Sequence, residues 1–174
     1  MRDILLIIDM QNDFITGALG TPEAEAIVDA VAEEAGKYPA KDIIATRDTH
    51  GPDYLQTQEG QKLPVPHCIR ETEGWALHPK IAAAIAGALI LDKPSFGSVA
   101  LAERLRDMAA GEELRLTLLG LCTDICVVSN ALLIKAFLPE TPVRVLARCC
   151  AGVTPESHEA ALRTMEMCQI TVER

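Results

Sequence analysis

The 174-residue chain has the length of one ordinary domain and can bury roughly 70% of its unfolded surface without disulfide or metal staples. A hydrophobic content of 49% and a charged content of 24% exclude wholesale disorder. Sixteen Lys and Arg against 25 Asp and Glu give a formal charge of −9, which argues against a nucleic-acid or anionic-membrane partner.

In chain order, Asp3 to Asp9 (DILLIID) reads as a strand buried on both faces. Its five apolar residues, Ile4 to Ile8, are too few for a secretory signal, and the expected location is the cytoplasm. Thr21-Pro22 supplies an N-cap and a proline at the first helical position. A helix over Glu23 to Lys37 follows, with Ile27, Val31 and Ala35 on one face. Asp42 to Thr46 is a second strand. Arg47 to Leu77 has no periodicity and is too long for a passive connection, so it reads as a functional excursion. Pro79 to Ala86 is a short helix and Ala88 to Leu91 a third strand. The longest apolar run, Ile81 to Leu91, is too short to span a bilayer. Val99 to Ala110 is a helix, Leu114 to Leu119 a fourth strand, and Asp124 to Leu138 an apolar helix suited to burial or an interface. Val143 to Ala147 is a fifth strand, Thr154-Pro155 opens a helix to Met167, and Gln169 to Val172 is a sixth, edge-like strand. The alternation predicts a single-domain three-layer α/β/α fold with a six-stranded, mostly parallel sheet.

Such sheets bind ligands outside the carboxyl ends of their strands. The polar residues just past those ends are Asp9, Arg47 to His50, Lys93 and Thr123 to Cys126. Taken singly, an Asp at a strand end can be a turn residue, a Cys in an apolar helix can be core, and a Lys can be solvated. Together they supply a base, a nucleophile and an electrostatic partner. Cys126 falls in the first turn of a helix, where free backbone N–H groups favour a thiolate and can hold an oxyanion. The other cysteines, at 68, 122, 149, 150 and 168, form no CxxC spacing and read as reduced core residues.

The excursion carries a second constellation. Asp48 and His50 lie two residues apart, and His67 returns from the same segment. One carboxylate and two imidazoles suit Zn²⁺, Mn²⁺ or Fe²⁺, although the spacing alone fits turn-capping residues as well. His78 before Pro79 reads as a helix-start residue, and His158 as structural or solvated.

Three segments, in the right order and spanning most of the chain, carry a resemblance. Asp9-Met10-Gln11-Asn12-Asp13-Phe14, Lys93-Pro94-Ser95-Phe96 and Gly120-Leu121-Cys122-Thr123-Asp124-Ile125-Cys126-Val127 resemble the acid, lysine and nucleophile segments of the isochorismatase-like cysteine hydrolases. The resemblance implies that Asp9 is the general base and acid, that Lys93 stabilises the thiolate, and that Cys126 forms a thioester with a small amide substrate. It also implies a cis peptide between Leu121 and Cys122, with the N–H groups of Cys122 and Cys126 at the oxyanion. Arg47 to His50 and Pro66-His67-Cys68 are similar to the metal segments of nicotinamidases in the same superfamily. That implies a divalent metal, zinc first, at Asp48, His50 and His67, with Cys68 pointing away. Phe14, Phe96 and Trp75 are the candidates for the substrate pocket.

The departures from the nicotinamidase pattern are a missing extra His after His50, Leu63 or Pro64 in place of an aromatic, and Ile125 before the nucleophile. The hydrolase chemistry therefore stands better supported than nicotinamide as its substrate, and another amide, ureido or carbamoyl compound stays open. An iron oxygenase would share the two-His, one-carboxylate set, but that set usually sits on a β-barrel. A catalytically inert binding member would not need Asp9, Lys93 and Cys126 together. The apolar Asp124 to Leu138 helix and the family's habit predict a homodimer or homotetramer.

Overall fold

The computed structural model describes residues 1–174. Its elements are β1 (Arg2–Ile8), α1 (Asn12–Ile15), α2 (Pro22–Ala26), α3 (Val28–Ala35), β2 (Ile43–Asp48), α4 (Gln58–Lys62) and α5 (Pro79–Ala84). After them come β3 (Leu89–Lys93), α6 (Val99–Ala109), β4 (Leu114–Leu121), α7 (Val128–Phe137), β5 (Val143–Ala151), α8 (Pro155–Met167) and β6 (Thr171–Glu173).

The six strands form one sheet in the order β3-β2-β1-β4-β5-β6, and every pairing is parallel. The expected sheet of mostly parallel strands is thus wholly parallel. The order reverses between β1 and β4, and the crevice at that reversal is where a parallel sheet opens to a ligand. Helices α1, α2, α3 and α5 pack on one another on one side, and α6, α7 and α8 on the other. The β1 residues Ile4 to Ile8 have no exposed surface, since helices cover both faces. Each such side chain contributes about 1.5–3 kcal/mol on burial, which makes β1 the anchor of the fold. They belong to one contiguous core of 40 buried residues.

Several elements differ from expectation for local reasons. The Glu23–Lys37 helix is two helices, because Ile27 caps one and opens the other. Strands β2, β3, β4 and β5 all run farther toward their carboxyl ends than their apolar runs. Buried polar residues there, Asp48 and Lys93 among them, continue the ladder. The short helix α1 was not expected, and its four residues carry too little periodicity to reveal it. The excursion is ordered by a 3₁₀ turn over Tyr54–Gln56, by α4, and by isolated bridges pairing Gln11 with Leu77 and His50 with Ile69.

The helix expected from Asp124 begins as a π-type turn over Thr123–Val127 and becomes α-helical only at Val128. Gly120 permits the preceding strand to press against β1. Its φ is 119°, and a Cβ there would meet the Ile8 carbonyl oxygen at 2.1 Å. The peptide between Leu121 and Cys122 is cis.

Candidate active site

Four strand ends meet at the reversal point. Asp9 follows β1 in a left-handed conformation (φ 48°), Asp48 ends β2, Lys93 ends β3, and Cys126 sits in the turn after β4. The Lys93 Nζ lies 2.7 Å from Asp9 Oδ2, 3.3 Å from Asp48 Oδ1 and 3.4 Å from the Cys126 Sγ. It also donates to the Ser95 carbonyl at 3.1 Å. The side chains of Asp9 and Lys93 have no exposed surface. A buried ammonium without partners would neutralise, so the two carboxylates are what keep it charged. Burial opposes that charge, yet the Asp9 and Asp48 carboxylates help raise the Lys93 pKa well above its usual value.

Asp9 is held by a hydrogen bond at one oxygen and by the ion pair with Lys93 at the other. Its Oδ1 accepts from Thr46 Oγ1 at 2.6 Å. Its Oδ2 is buried and faces the lysine without the alignment of a hydrogen bond, and no other donor fixes it. Burial raises the Asp9 pKa against the lowering influence of Lys93, which suits a group that must take up and return a proton. At Cys126 the influences on the thiol oppose one another. Burial pushes the thiol pKa well up, Asp9 pushes the same way, and Lys93 opposes them. The helix start gives less relief than expected, because the N–H groups of Ile125 and Val127 both turn back to the Cys122 carbonyl. The Asp9 carboxylate beside the sulfur can accept its proton. The Cys122 N–H has no backbone partner and remains available to an oxyanion.

The second cluster also assembles. One ligand atom each from Asp48, His50, Glu59 and His67 lies within 4.8 Å of the others. His50 Nε2 is 2.9 Å from Asp48 Oδ2 and 3.7 Å from Glu59 Oε1, and His67 Nε2 is 3.7 Å and 3.6 Å from the same two atoms. His67 Nδ1 lies 2.9 Å from the Val65 carbonyl, which can only accept. In the neutral ring Nδ1 therefore carries the hydrogen and Nε2 presents its lone pair to the cluster. Although burial acts the other way, the two histidines and Lys93 hold the Asp48 carboxyl far below its usual range. Two carboxylates and two imidazoles at this separation fit a divalent ion of the zinc, manganese or iron type.

Glu59 was missed by sequence reasoning. Its only signal is a carboxylate lying between the two histidine segments, in a stretch with no periodicity. Tyr54 was passed over too. It is almost fully buried, its ring stands edge-on to His50 and His67, and its hydroxyl donates to the Leu63 carbonyl at 2.9 Å.

A cavity of about 410 Å³ opens onto both clusters. Cys126, Cys122 and Ile125 form one wall, Asp48, Glu59 and His67 another, and Phe14, Leu19, Pro94 and Phe96 supply apolar surface. Phe14 is buried against His67, whereas Phe96 is 44% exposed at the rim. Ser95, together with Gln58, Lys62 and Leu63 from α4 and the residue after it, completes the lining.

Trp75 is not among the lining residues, contrary to its candidacy for the pocket. Its indole N–H donates to Thr49 Oγ1 at 2.8 Å and the Arg47 guanidinium lies 3.6 Å over its ring, so both recognition features are already used. Cys68 is buried outside the ligand cluster, with its N–H donating to Asp13 Oδ2. His78 caps α5 through Nδ1, and His158 meets Thr123 Oγ1 at 2.8 Å, so both have structural partners.

The first sequence segment braces the two clusters. The Gln11 amide donates to the Asp48 carbonyl at 2.8 Å and accepts from the Asp48 N–H at 2.7 Å, pinning the end of β2. Asp13 holds the Cys68 N–H at 2.7 Å, which fixes the residue after His67.

Comparison with known proteins places relatives beside this geometry. The isochorismatase domain family matches residues 3–174. The nicotinamidase of Escherichia coli (strain K12) is 28% identical over 195 residues, covering 94% of this chain and 89% of that protein. A solved nicotinamidase/pyrazinamidase from Bacillus subtilis superposes with a TM-score of 0.83 at 27% identity, covering all of both chains. A pyrazinamidase of Pyrococcus horikoshii, solved in complex with zinc, gives 0.79 at 27% identity, over 100% of this chain and 99% of that one.

Proposed function

From the premise that the chain belongs to the isochorismatase domain family, we propose that it is a cysteine amidohydrolase of the nicotinamidase type. It cleaves the C–N bond of a small amide and releases ammonia or an amine. The observation that carries this reading is the convergence of the Cys126 thiol with the Lys93 ammonium and the Asp9 carboxylate that Lys93 pairs, with Cys126 itself lining a ligand-sized cavity.

In this mechanism Asp9 takes the proton from Cys126 as the sulfur attacks the amide carbon. Lys93 offsets the negative charge that moves between sulfur and carboxylate. The tetrahedral oxyanion accepts hydrogen bonds from the N–H groups of Cys122 and Cys126. Asp9 then returns the proton to the leaving nitrogen, the C–N bond breaks and an acyl thioester remains. A water gives a proton to Asp9 and attacks the thioester carbon. As the C–S bond breaks, the acid product departs and the proton goes back to the sulfur.

Asp48, His50, Glu59 and His67 would hold a divalent ion, with zinc the first candidate. Such an ion supplies a Lewis-acid anchor for a donor atom of the substrate beside the thiol. Phe14 and Phe96 supply apolar surface for a flat ring. Lys62 favours a second reading, because it lines the same cavity and forms no ion pair. An amide or carbamoyl compound bearing an acid group would satisfy it.

A panel of nicotinamide, pyrazinamide, aliphatic amides and carbamoyl amino acids, assayed for ammonia release, tests both readings. Elemental analysis of the same sample reads the metal. No release from any member by metal-loaded protein, or turnover that survives Cys126→Ala, overturns the hydrolase proposal. Self-association as a dimer or tetramer is proposed as well, supported by the half-buried Leu132, Leu133 and Phe137 of α7. A monomeric mass by light scattering refutes it.

A further inference from the structure

We infer that Asn130 is a positioning residue that sets the spacing between the Cys126 thiol and the Lys93 ammonium. It lies in α7 with no exposed surface, immediately before the apolar stretch Ala131 to Ile134. A buried polar side chain costs stability unless its hydrogen bonds are made. Asn130 makes three. Its Oδ1 accepts from the Ser98 N–H at 2.9 Å, and its Nδ2 donates to the Cys126 carbonyl at 2.8 Å and the Phe96 carbonyl at 3.1 Å.

These three bonds run to two different pieces of chain. One is the nucleophile turn itself. The other is the segment Pro94 to Ser98, which begins immediately after Lys93 and whose Ser95 carbonyl accepts from the lysine Nζ. The amide is thus a latch between the chain that carries the sulfur and the chain that orients the ammonium. The 3.4 Å contact between Nζ and Sγ is the quantity it fixes. Because the same latch holds the Phe96 carbonyl, it also fixes a residue of the cavity rim. The charged groups facing the thiol are Asp9, Lys93 and Asp48, and Asn130 adds no charge to them. It acts through Lys93.

The catalytic meaning of this latch rests on the hydrolase reading, but its effect can be read on the thiol alone. The measurement is the rate of Cys126 alkylation by iodoacetamide as a function of pH, with the labelled peptide identified by mass. Asn130→Ala removes all three bonds. Asn130→Thr is the second variant, because its hydroxyl can bond back to the carbonyl four residues earlier while losing the tie to Phe96 and Ser98. Each variant is made in the wild-type background and with Lys93→Met.

With Lys93 present, either variant is expected to move the alkylation profile upward by about one pH unit, a roughly tenfold loss of rate near neutral pH. In the Lys93→Met background the same substitutions are expected to change the rate by less than about twofold. If Asn130→Ala does not fold, Asn130→Thr decides. An unchanged profile in a folded variant, or an equal shift with and without Lys93, overturns the assignment. If no amide is hydrolysed yet the Lys93-dependent shift is seen, the hydrolase reading fails and the latch stands.

Discussion

The two ends of the sheet treat charge in opposite ways. Toward the amino ends of the strands, Arg2 meets Asp42 and Glu112, Arg115 meets Asp3, and Arg144 at the start of β5 meets Glu173 of the short β6, each pair at least partly in solvent. At the carboxyl ends, Asp9, Lys93 and Asp48 form a network that is almost wholly buried. Exposed pairs contribute little, because water screens them and ordering two long side chains costs entropy. Buried charges repay their desolvation only while every partner is present, and removing one leaves the others stranded. The molecule therefore concentrates its electrostatic risk at the carboxyl ends, beside the proposed catalytic cysteine, and leaves the other end tolerant.

Substitutions at each end should separate these behaviours. Cys126→Ala removes the proposed nucleophile and is expected to lower turnover by at least about 10⁴-fold, measured by ammonia release. It should leave the thermal midpoint nearly unchanged, since a small buried side chain replaces another. Lys93→Met leaves Asp9 and Asp48 without their shared cation, and chemical denaturation should show a loss of about 3–5 kcal/mol. A loss below about 1 kcal/mol would erase the contrast between the two ends. Asp48→Ala removes a central member of the metal-type cluster. Elemental analysis should then find less metal per chain, and unchanged stoichiometry rules Asp48 out as a ligand.

The smallest effect belongs to the amino end. The Arg115 hydrogen bond holds the Asp3 carboxyl below its usual range, with burial acting weakly the other way. A folded pKa below the unfolded value gives stability that is present above the unfolded pKa and lost as pH falls through the folded one. Arg115→Ala should thus melt slightly earlier than wild type at neutral pH, and the two midpoints should converge below about pH 4. A large gap at neutral pH, or one that persists in acid, would contradict the exposed-pair account.

Much of this protein was legible in its sequence. The five-residue apolar run of β1, the Thr-Pro helix starts before α2 and α8, and the strand-helix alternation follow from periodicity and capping, which are local. The polar residues past each apolar run marked the rim where Asp9, Lys93, Cys126 and the Asp48 cluster meet. Other features depended on contacts across tens of residues. Glu59 joins the histidines only because the excursion folds back, and Trp75 leaves the cavity only because Arg47 and Thr49 occupy it. Asn130 reads as a stray polar residue in an apolar helix until Phe96 and Ser98 arrive beside it.

The surroundings of Cys126 show the division most clearly. The sequence by itself put a cysteine at a helix start, where a thiolate would be favoured. Tertiary packing added influences the spacing does not reveal, because burial and the neighbouring carboxylate of Asp9 raise the thiol pKa while Lys93 lowers it. Local order is written in residue spacing, but the cost of a charge depends on everything that surrounds it, and only the folded chain supplies those surroundings.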